Sequence, residues 1–426
     1  MAFLATLAYV VLALVSPWAA YPELAKLRIM IWLMSVIGAL TVFQVILRKV
    51  SLWVPQIPLL GAFLILAVLS AAGAGPGGML DVFSKVMVPL AASAALIGNV
   101  NSLTRIRWLS WCLVMVAVYL SVRVVLAVYF GIAVETYTVI EGDISSGSIP
   151  IHRGRALSFL ADPNDLAQYL VACLPLAVLL WRRGRSVGNA LLVVIPICVL
   201  AVGIYLTRSR GGLLGLAFLV ALAVSRVSRV GAPLAGVAFA VGMLAMGFSG
   251  GRETSVSGGT GGSRIELWAD VFRVFLAHPI GGVGYGNIEE YLPATAHNTL
   301  LECLVEIGLP GLYFWLATFS VTFFQLGPLR VDSQVSEDAR RFCRLGLASL
   351  ASAMVTSLFL SRTYALTLYV FLGVAIAAFL VVRREQAEPQ PLFRFRWLVW
   401  NGVLVFLTLG AFFFTVRLKW LLLSLS

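Results

Sequence analysis

Apolar runs of membrane-spanning length, broken by short polar connectors, fill most of the chain. Up to thirteen are visible, roughly at 3–19, 28–47, 57–73, 82–98, 108–130, 163–181, 188–206, 211–225, 231–248, 299–325, 342–360, 364–382 and 398–416. Most reach the roughly 17–25 residues with which a helix crosses a bilayer core. The 211–225 run is short, so twelve spans is the alternative count. The pattern predicts an all-α, polytopic membrane protein of 12–13 transmembrane helices, built as a single membrane domain over 1–426 without a repeat of fixed period. Two connectors are long, 131–162 and 249–298. The second contains a 264–276 segment with helical periodicity: Ile265, Leu267, Trp268, Val271, Phe272 and Phe275 share one face, while Glu266, Asp270 and Arg273 share the other. An interfacial amphipathic helix is expected there, with Trp268 at headgroup level.

Composition agrees with the pattern. The chain is 60% hydrophobic and 12% charged, and its mean hydropathy is +0.96. The five cysteines show no paired spacing and read as buried apolar thiols rather than disulfides or metal ligands. The first run lacks a basic leader and continues into more membrane, so an uncleaved helix is expected. The net charge of +12 is scattered over short loops instead of one stripe, which argues against nucleic acid. Its distribution orients the chain. Arg48 and Lys49, Arg105 and Arg107, Arg182 to Arg185, Arg226 and Arg229, Arg330 to Arg344, and Arg383 to Arg396 all fall on alternate connectors. The positive-inside trend makes those connectors cytoplasmic, although Lys26 and Arg28 oppose it. The 131–162 and 249–298 loops are then extracytoplasmic.

Three helices are expected to start on that outer face with unusual polar sequences. Asp162-Pro163-Asn164-Asp165 combines an N-cap, a proline suited to the first helical position and an acid suited to the positive helix end. Thr207-Arg208-Ser209-Arg210-Gly211-Gly212 places two arginines at a helix N-terminus, where backbone N–H groups and the dipole favour a phosphate. Thr295-Ala296-His297-Asn298-Thr299 opens the third helix. Thr299 and Glu302 have capping-box spacing there, and His297 is suited to proton transfer near neutral pH. Arg123 is the clearest charge inside a span. Gly281-Gly282-Val283-Gly284-Tyr285-Gly286 has a dinucleotide-like spacing but follows no strand, so a nucleotide site is not expected. An anion site beside a potential base, with no metal-ligand cluster, suits group transfer from a lipid diphosphate to an alcohol. A transporter or flippase is the alternative from another class, but it calls for internal repeats and midplane charges.

Five motifs in order carry a family resemblance: Arg155 to Ala167; Thr207 to Gly212; Arg264 followed by Trp268; His278-Pro279-Ile280-Gly281-Gly282-Val283-Gly284; and His297 to Glu302 leading to Glu306-Ile307-Gly308-Leu309-Pro310-Gly311. Over residues 150–312 the chain resembles the O-antigen ligase and polysaccharide polymerase superfamily. The resemblance implies a bacterial inner-membrane glycosyltransferase working at the periplasmic face without metal or other cofactor. The implied donor is an undecaprenyl-diphosphate-linked glycan; the acceptor is a growing glycan, lipid A core or a glycoprotein. By the same resemblance His297 is catalytic, and Arg264 with Arg210 or Arg208 binds the diphosphate. Arg155, Asn164, Asn298, Glu302 and Arg123 are supporting candidates. The sequence leaves open ligase or polymerase, and whether His297 removes a proton or positions the acceptor.

Overall fold

A computed structural model describes residues 1–49, 51–141, 151–182, 184–245 and 260–424, without the side chains of 74, 244–245, 260–265 and 418–424. Among the described residues, each of the thirteen apolar runs becomes a helix. They are α1 (Ala2–Val15), α2 (Ile29–Ile46), α3 (Gln56–Ser70), α4 (Gly75–Asn99), α5 (Leu103–Phe130), α6 (Pro163–Leu179) and α7 (Ser186–Thr207). After these come α8 (Arg210–Val224), α9 (Gly231–Ala245), the amphipathic α10 (Thr260–Ala277), α11 (Thr299–Leu329), α12 (Glu337–Ser357), α13 (Leu366–Arg383) and α14 (Arg396–Ser424). Among the described residues, eight helices are long and apolar enough to cross a membrane by themselves; the 211–225 run forms the shorter α8. The fold is that of an all-α polytopic membrane protein.

Burial sorts the helices into an interior and a rim. α13 and α11 are mostly buried, whereas α2 and α14 bury little of their surface. The apolar side chains exposed on that rim include Trp32, Phe43, Phe406 and Phe414. A lipid-facing rim accounts for them, since soluble monomers rarely expose apolar patches of that extent. Small residues let the inner helices approach closely: a Cβ on Gly215 of α8 would come within 2.5 Å of Thr356 on α12. Polar side chains tie the interior at intervals. Gln168 of α6 donates to Ser357 at 2.7 Å, and Gln56 of α3 donates to Gln325 of α11 at 2.7 Å.

Loops at one end of the bundle carry the features that build a site. The 131–162 connector, expected to be plain loop, contains an antiparallel hairpin of β1 (Thr138–Glu141) and β2 (Ile151–Gly154), pairing Val139 with Arg153. Gly154 lets the hairpin sit on α5, because a Cβ there would lie 2.3 Å from Val124. The amphipathic helix begins four residues earlier than its periodicity suggested. Its buried face of Leu267, Val271 and Phe275 packs on the bundle through α11 and α14. Trp268 makes protein contacts: its indole donates to the Ala296 carbonyl at 3.1 Å and meets Phe412 edge-on.

Candidate active site

Five chain segments converge at this end: the β-hairpin, the start of α6, the start of α8, the start of α11 with the residues before it, and the α12–α13 loop. The sequence named the N-cap of α6 but not that of α8. Asp162 caps α6 by accepting from Asn164 N at 2.7 Å, with Pro163 following, and Ser209 caps α8 by accepting from Gly212 N at 3.1 Å. The third differs. Asn298, not Thr299, caps α11, its carbonyl oxygen accepting from Leu300 N and Leu301 N. An Asn competes well for the cap position, and this frees Thr299 and Glu302 for another task.

That task is to hold the α12–α13 loop. Thr299 Oγ1 donates to the Leu360 carbonyl at 2.6 Å and accepts from Arg362 N at 3.1 Å. Glu302 accepts from Thr363 N at 2.8 Å and from the Thr363 hydroxyl at 2.7 Å. One turn further, Glu306 accepts from Tyr364 OH at 2.8 Å. Asn298 completes the clasp by donating to Leu358 O at 2.9 Å. Arg362 is thereby fixed over α6, where it meets Asp165 in a two-bond fork of 2.5 and 2.6 Å. Burial works against the Arg362 charge, but the hydrogen bonds and attraction of Asp165 outweigh it and raise its pKa above the usual arginine value. So Asp165 does more than complement the helix end.

Arg153 is a second hub. It is 7% exposed, and its guanidinium donates to Thr207 O at 3.0 Å, Glu141 at 2.6 Å and Asn164 at 3.1 Å. The Asn164 carbonyl oxygen also accepts from Ser209 Oγ at 2.7 Å. The hairpin and the ends of α6, α7 and α8 are therefore locked through one arginine and one asparagine.

Between these hubs lies a cavity of about 560 Å³. Arg153, Arg210, Arg362 and His297 face it, along with the carboxylates Glu141, Asp162 and Glu302. Asn164 and Leu267 of the amphipathic helix also line it. His297 is held in the left-handed region at φ 47°, a conformation that costs a non-glycine residue about 1–2 kcal/mol. A second cavity of about 510 Å³ shares Asp162, Glu302, Ser361 and Arg362 with the first. Its own wall brings in Asp165, Glu289, Glu306, Tyr285 and Tyr364. Burial, followed by the charges of Glu306 and Glu302, pushes the Tyr285 hydroxyl up to about 12, so it stays a donor near neutral pH.

The sequence candidates separate on this geometry. His297, Arg210, Asn164 and Glu302 line the first cavity. Arg208, also left-handed at φ 52°, lies 4.1 Å over the Tyr205 ring and outside that lining. Arg155 donates to Glu135 O at 2.8 Å, and Arg123 lies 4.6 Å over Tyr137, so both secure the 131–162 connector. Asn298 is a buried cap. The Arg264 side chain lies outside the described residues, as does the Gly-rich stretch 246–259. Arg362 was not singled out by sequence reasoning, and Arg153 was not among its site candidates. Arg362 left a signal: a lone arginine in a short connector that the charge pattern placed outside.

The glycine motifs form a backbone clasp instead of a ligand loop. Gly308 breaks α11 with φ 76°, and its Cα lies so near Ile280 that a Cβ would come within 2.2 Å of the Ile280 carbonyl. Gly282, at φ 66°, approaches the Glu306 carbonyl as closely. Val283 N donates to Val305 O, Gly284 N to Glu306 O and Leu309 N to Pro279 O, at 2.8 to 3.0 Å. His278 packs edge-on against Tyr291.

Residues 195–316 match a family model described as O-Antigen ligase. A 144-residue stretch is 28% identical to the Teichuronic acid biosynthesis protein TuaE of Bacillus subtilis (strain 168), covering 31% of this chain and 29% of that protein. The match thus spans less than a third of the relative's length. Both findings agree with the resemblance carried by the motifs. The family-model segment contains Arg210, Arg264 and His297 but neither Arg153 nor Arg362.

Proposed function

We propose that this polytopic membrane protein, similar in motifs and family model to the O-antigen ligases and polysaccharide polymerases, transfers a glycan from undecaprenyl diphosphate to an acceptor hydroxyl. One observation carries the reading: Arg210 and His297 from two helix starts and Arg362 from the α12–α13 loop face one cavity. The acceptor oxygen bonds to the anomeric carbon as the bond from that carbon to the diphosphate breaks. The acceptor proton leaves through His297 or to water, and the lipid diphosphate departs with its charge on the guanidiniums. Arg210 and Arg362 supply forked donors suited to phosphate oxygens, with Arg264 as a third from the amphipathic helix. Donors set in advance at the developing charge are the main source of acceleration in such a step. The mechanism calls on no metal ion.

The second cavity suits the acceptor. Carboxylates accept from sugar hydroxyls, and the Tyr285 and Tyr364 rings, 4.5 Å apart, offer apolar surface for a sugar face. Because the cavities share Arg362 and Glu302, a sugar in one would lie beside a diphosphate in the other. The positive-inside pattern supports an extracytoplasmic, periplasm-facing site in the inner membrane. Ligation is the first reading, from the family description. Polymerisation is the second, and the relative named for teichuronic acid biosynthesis agrees with either.

Transfer by purified protein from a synthetic lipid-diphosphate glycan tests the reaction. His297→Ala is expected to insert and purify normally yet abolish transfer. Normal transfer by that variant would refute the proposed role. In cells lacking the gene, full-length glycan accumulating on the carrier indicates ligation, and single repeats left attached indicate polymerisation.

A further inference from the structure

A separate cavity of about 500 Å³ lies at the other end of the same helices. α5 begins there with Arg107, Trp108 and Trp111 and ends beside the hairpin. α6 starts at the His297 cleft and ends there at Leu180, while α7 starts there and returns to the cleft at Thr207. Helices of this length separate the two sites by roughly 30 Å, the thickness of a bilayer's hydrocarbon core.

The chemistry of this cavity differs from that of the cleft. Among its described lining residues are Arg107, Arg182 and Arg185 and no carboxylate. Asp338 pairs with Arg107, whose guanidinium lies 5.2 Å over the Phe342 ring. Among the described residues, the Arg182 and Arg185 side chains make no hydrogen bond or ion pair, and both are exposed. Their backbone is nevertheless fixed. Asn189 accepts from Arg182 N at 2.8 Å and donates to Arg182 O at 2.6 Å. The chain then takes a wide π-helical turn over Ala190–Val194, a device that often marks a functional site. That turn carries Leu192, 46% exposed, towards the cavity, and Trp108 is 58% exposed on its other side.

Guanidiniums at the polar end, with tryptophan and leucine along the wall, match a phosphodiester joined to acyl chains. We propose that this cavity binds the headgroup of an anionic phospholipid. Arg182 and Arg185 hold the phosphate, and Trp108, Trp111 and Leu192 pack on the first acyl carbons. Basic pockets between helices on the positively charged side of a membrane protein bind such lipids. The apolar wall favours a lipid over a free phosphate ion, and the site stands whether or not the glycosyl-transfer reading holds.

Native mass spectrometry of the purified full chain in detergent tests this with dioleoyl-phosphatidylglycerol, dioleoyl-phosphatidylcholine and inorganic phosphate as probes. Phosphatidylglycerol should bind well ahead of phosphatidylcholine and resist millimolar phosphate. Arg182→Gln with Arg185→Gln should weaken it on the order of 30-fold, as two lost basic residues imply. Arg226→Gln with Arg229→Gln, which removes equal charge from the α8–α9 turn at the same end, should leave binding intact. Equal retention of both lipids, displacement by phosphate alone, or equal losses from the two double variants would each overturn the proposal. Circular dichroism and gel-filtration profiles matching the unaltered protein exclude misfolding as the cause of any loss.

Discussion

Removing Arg362 should harm the protein more than removing its partner Asp165, although the two share the same bonds. The Asp165 side chain is 4% exposed and that of Arg362 is 36% exposed. Arg362→Gln strands a carboxylate inside the bundle, and breaking a buried pair from one side costs about 3–5 kcal/mol. Asp165→Asn leaves a guanidinium that can turn towards the cavity, so a smaller loss of about 1.5–3 kcal/mol is expected, that of a hydrogen bond to a charged group. The double variant carries no stranded charge and should be more stable than Arg362→Gln alone. Thermal unfolding of the three variants in one detergent, followed by tryptophan emission, gives the order. Equal losses for the two single variants would refute the reasoning, and so would a double variant less stable than either. Transfer activity gives a second reading: Arg362→Gln should also slow the reaction, because the same guanidinium faces the cavity.

Further outcomes follow from other parts of the site. Arg210→Ala should lower the turnover of the lipid-diphosphate donor by about 10²–10³, as for loss of one preset donor, while Arg208→Ala should change it little; a steady-state comparison decides between the two arginines. Gly308→Ala should unfold or destabilise the protein by more than the ordinary glycine-to-alanine effect, since its Cβ would fall 2.2 Å from a backbone carbonyl; yield and melting temperature report it. Asn298→Ala should cost about 1–2 kcal/mol through the lost cap, and its further loss of the Leu358 tether should appear as reduced melting temperature with the donor KM nearly unchanged.

Hydropathy placed every long helix because lipid-facing and interior positions are both apolar, which makes each span a continuous signal. The same uniformity hid which spans are central: α13 is mostly buried and α14 is not, yet their compositions look alike. Helix starts were legible where a local rule applies, as at Asp162. They were misread where two adjacent residues compete, since Asn298 takes the cap that Thr299 could have taken. The short hairpin carried too few residues for its period to stand out.

The arginines divide along the same line. Arg210 and Arg208 sit two residues apart in one motif, and sequence offers no way to choose between them. The backbone separates them: Arg208 adopts the left-handed turn that ends α7 and packs over Tyr205, while Arg210, as the first residue of α8, lines the cavity. Arg362 is some 65 residues beyond His297 and enters the site only because Thr299, Glu302 and Glu306 pull its loop onto α11. These residues sit in the helix that His297 precedes, so the sequence motif around the histidine specifies the position of a distant arginine as well as its own. Loop placement is therefore one role of the motif's acidic residues. Glu302→Ala should lower transfer activity through Arg362, whereas Glu302→Gln, which can still accept from Thr363, should retain most of it.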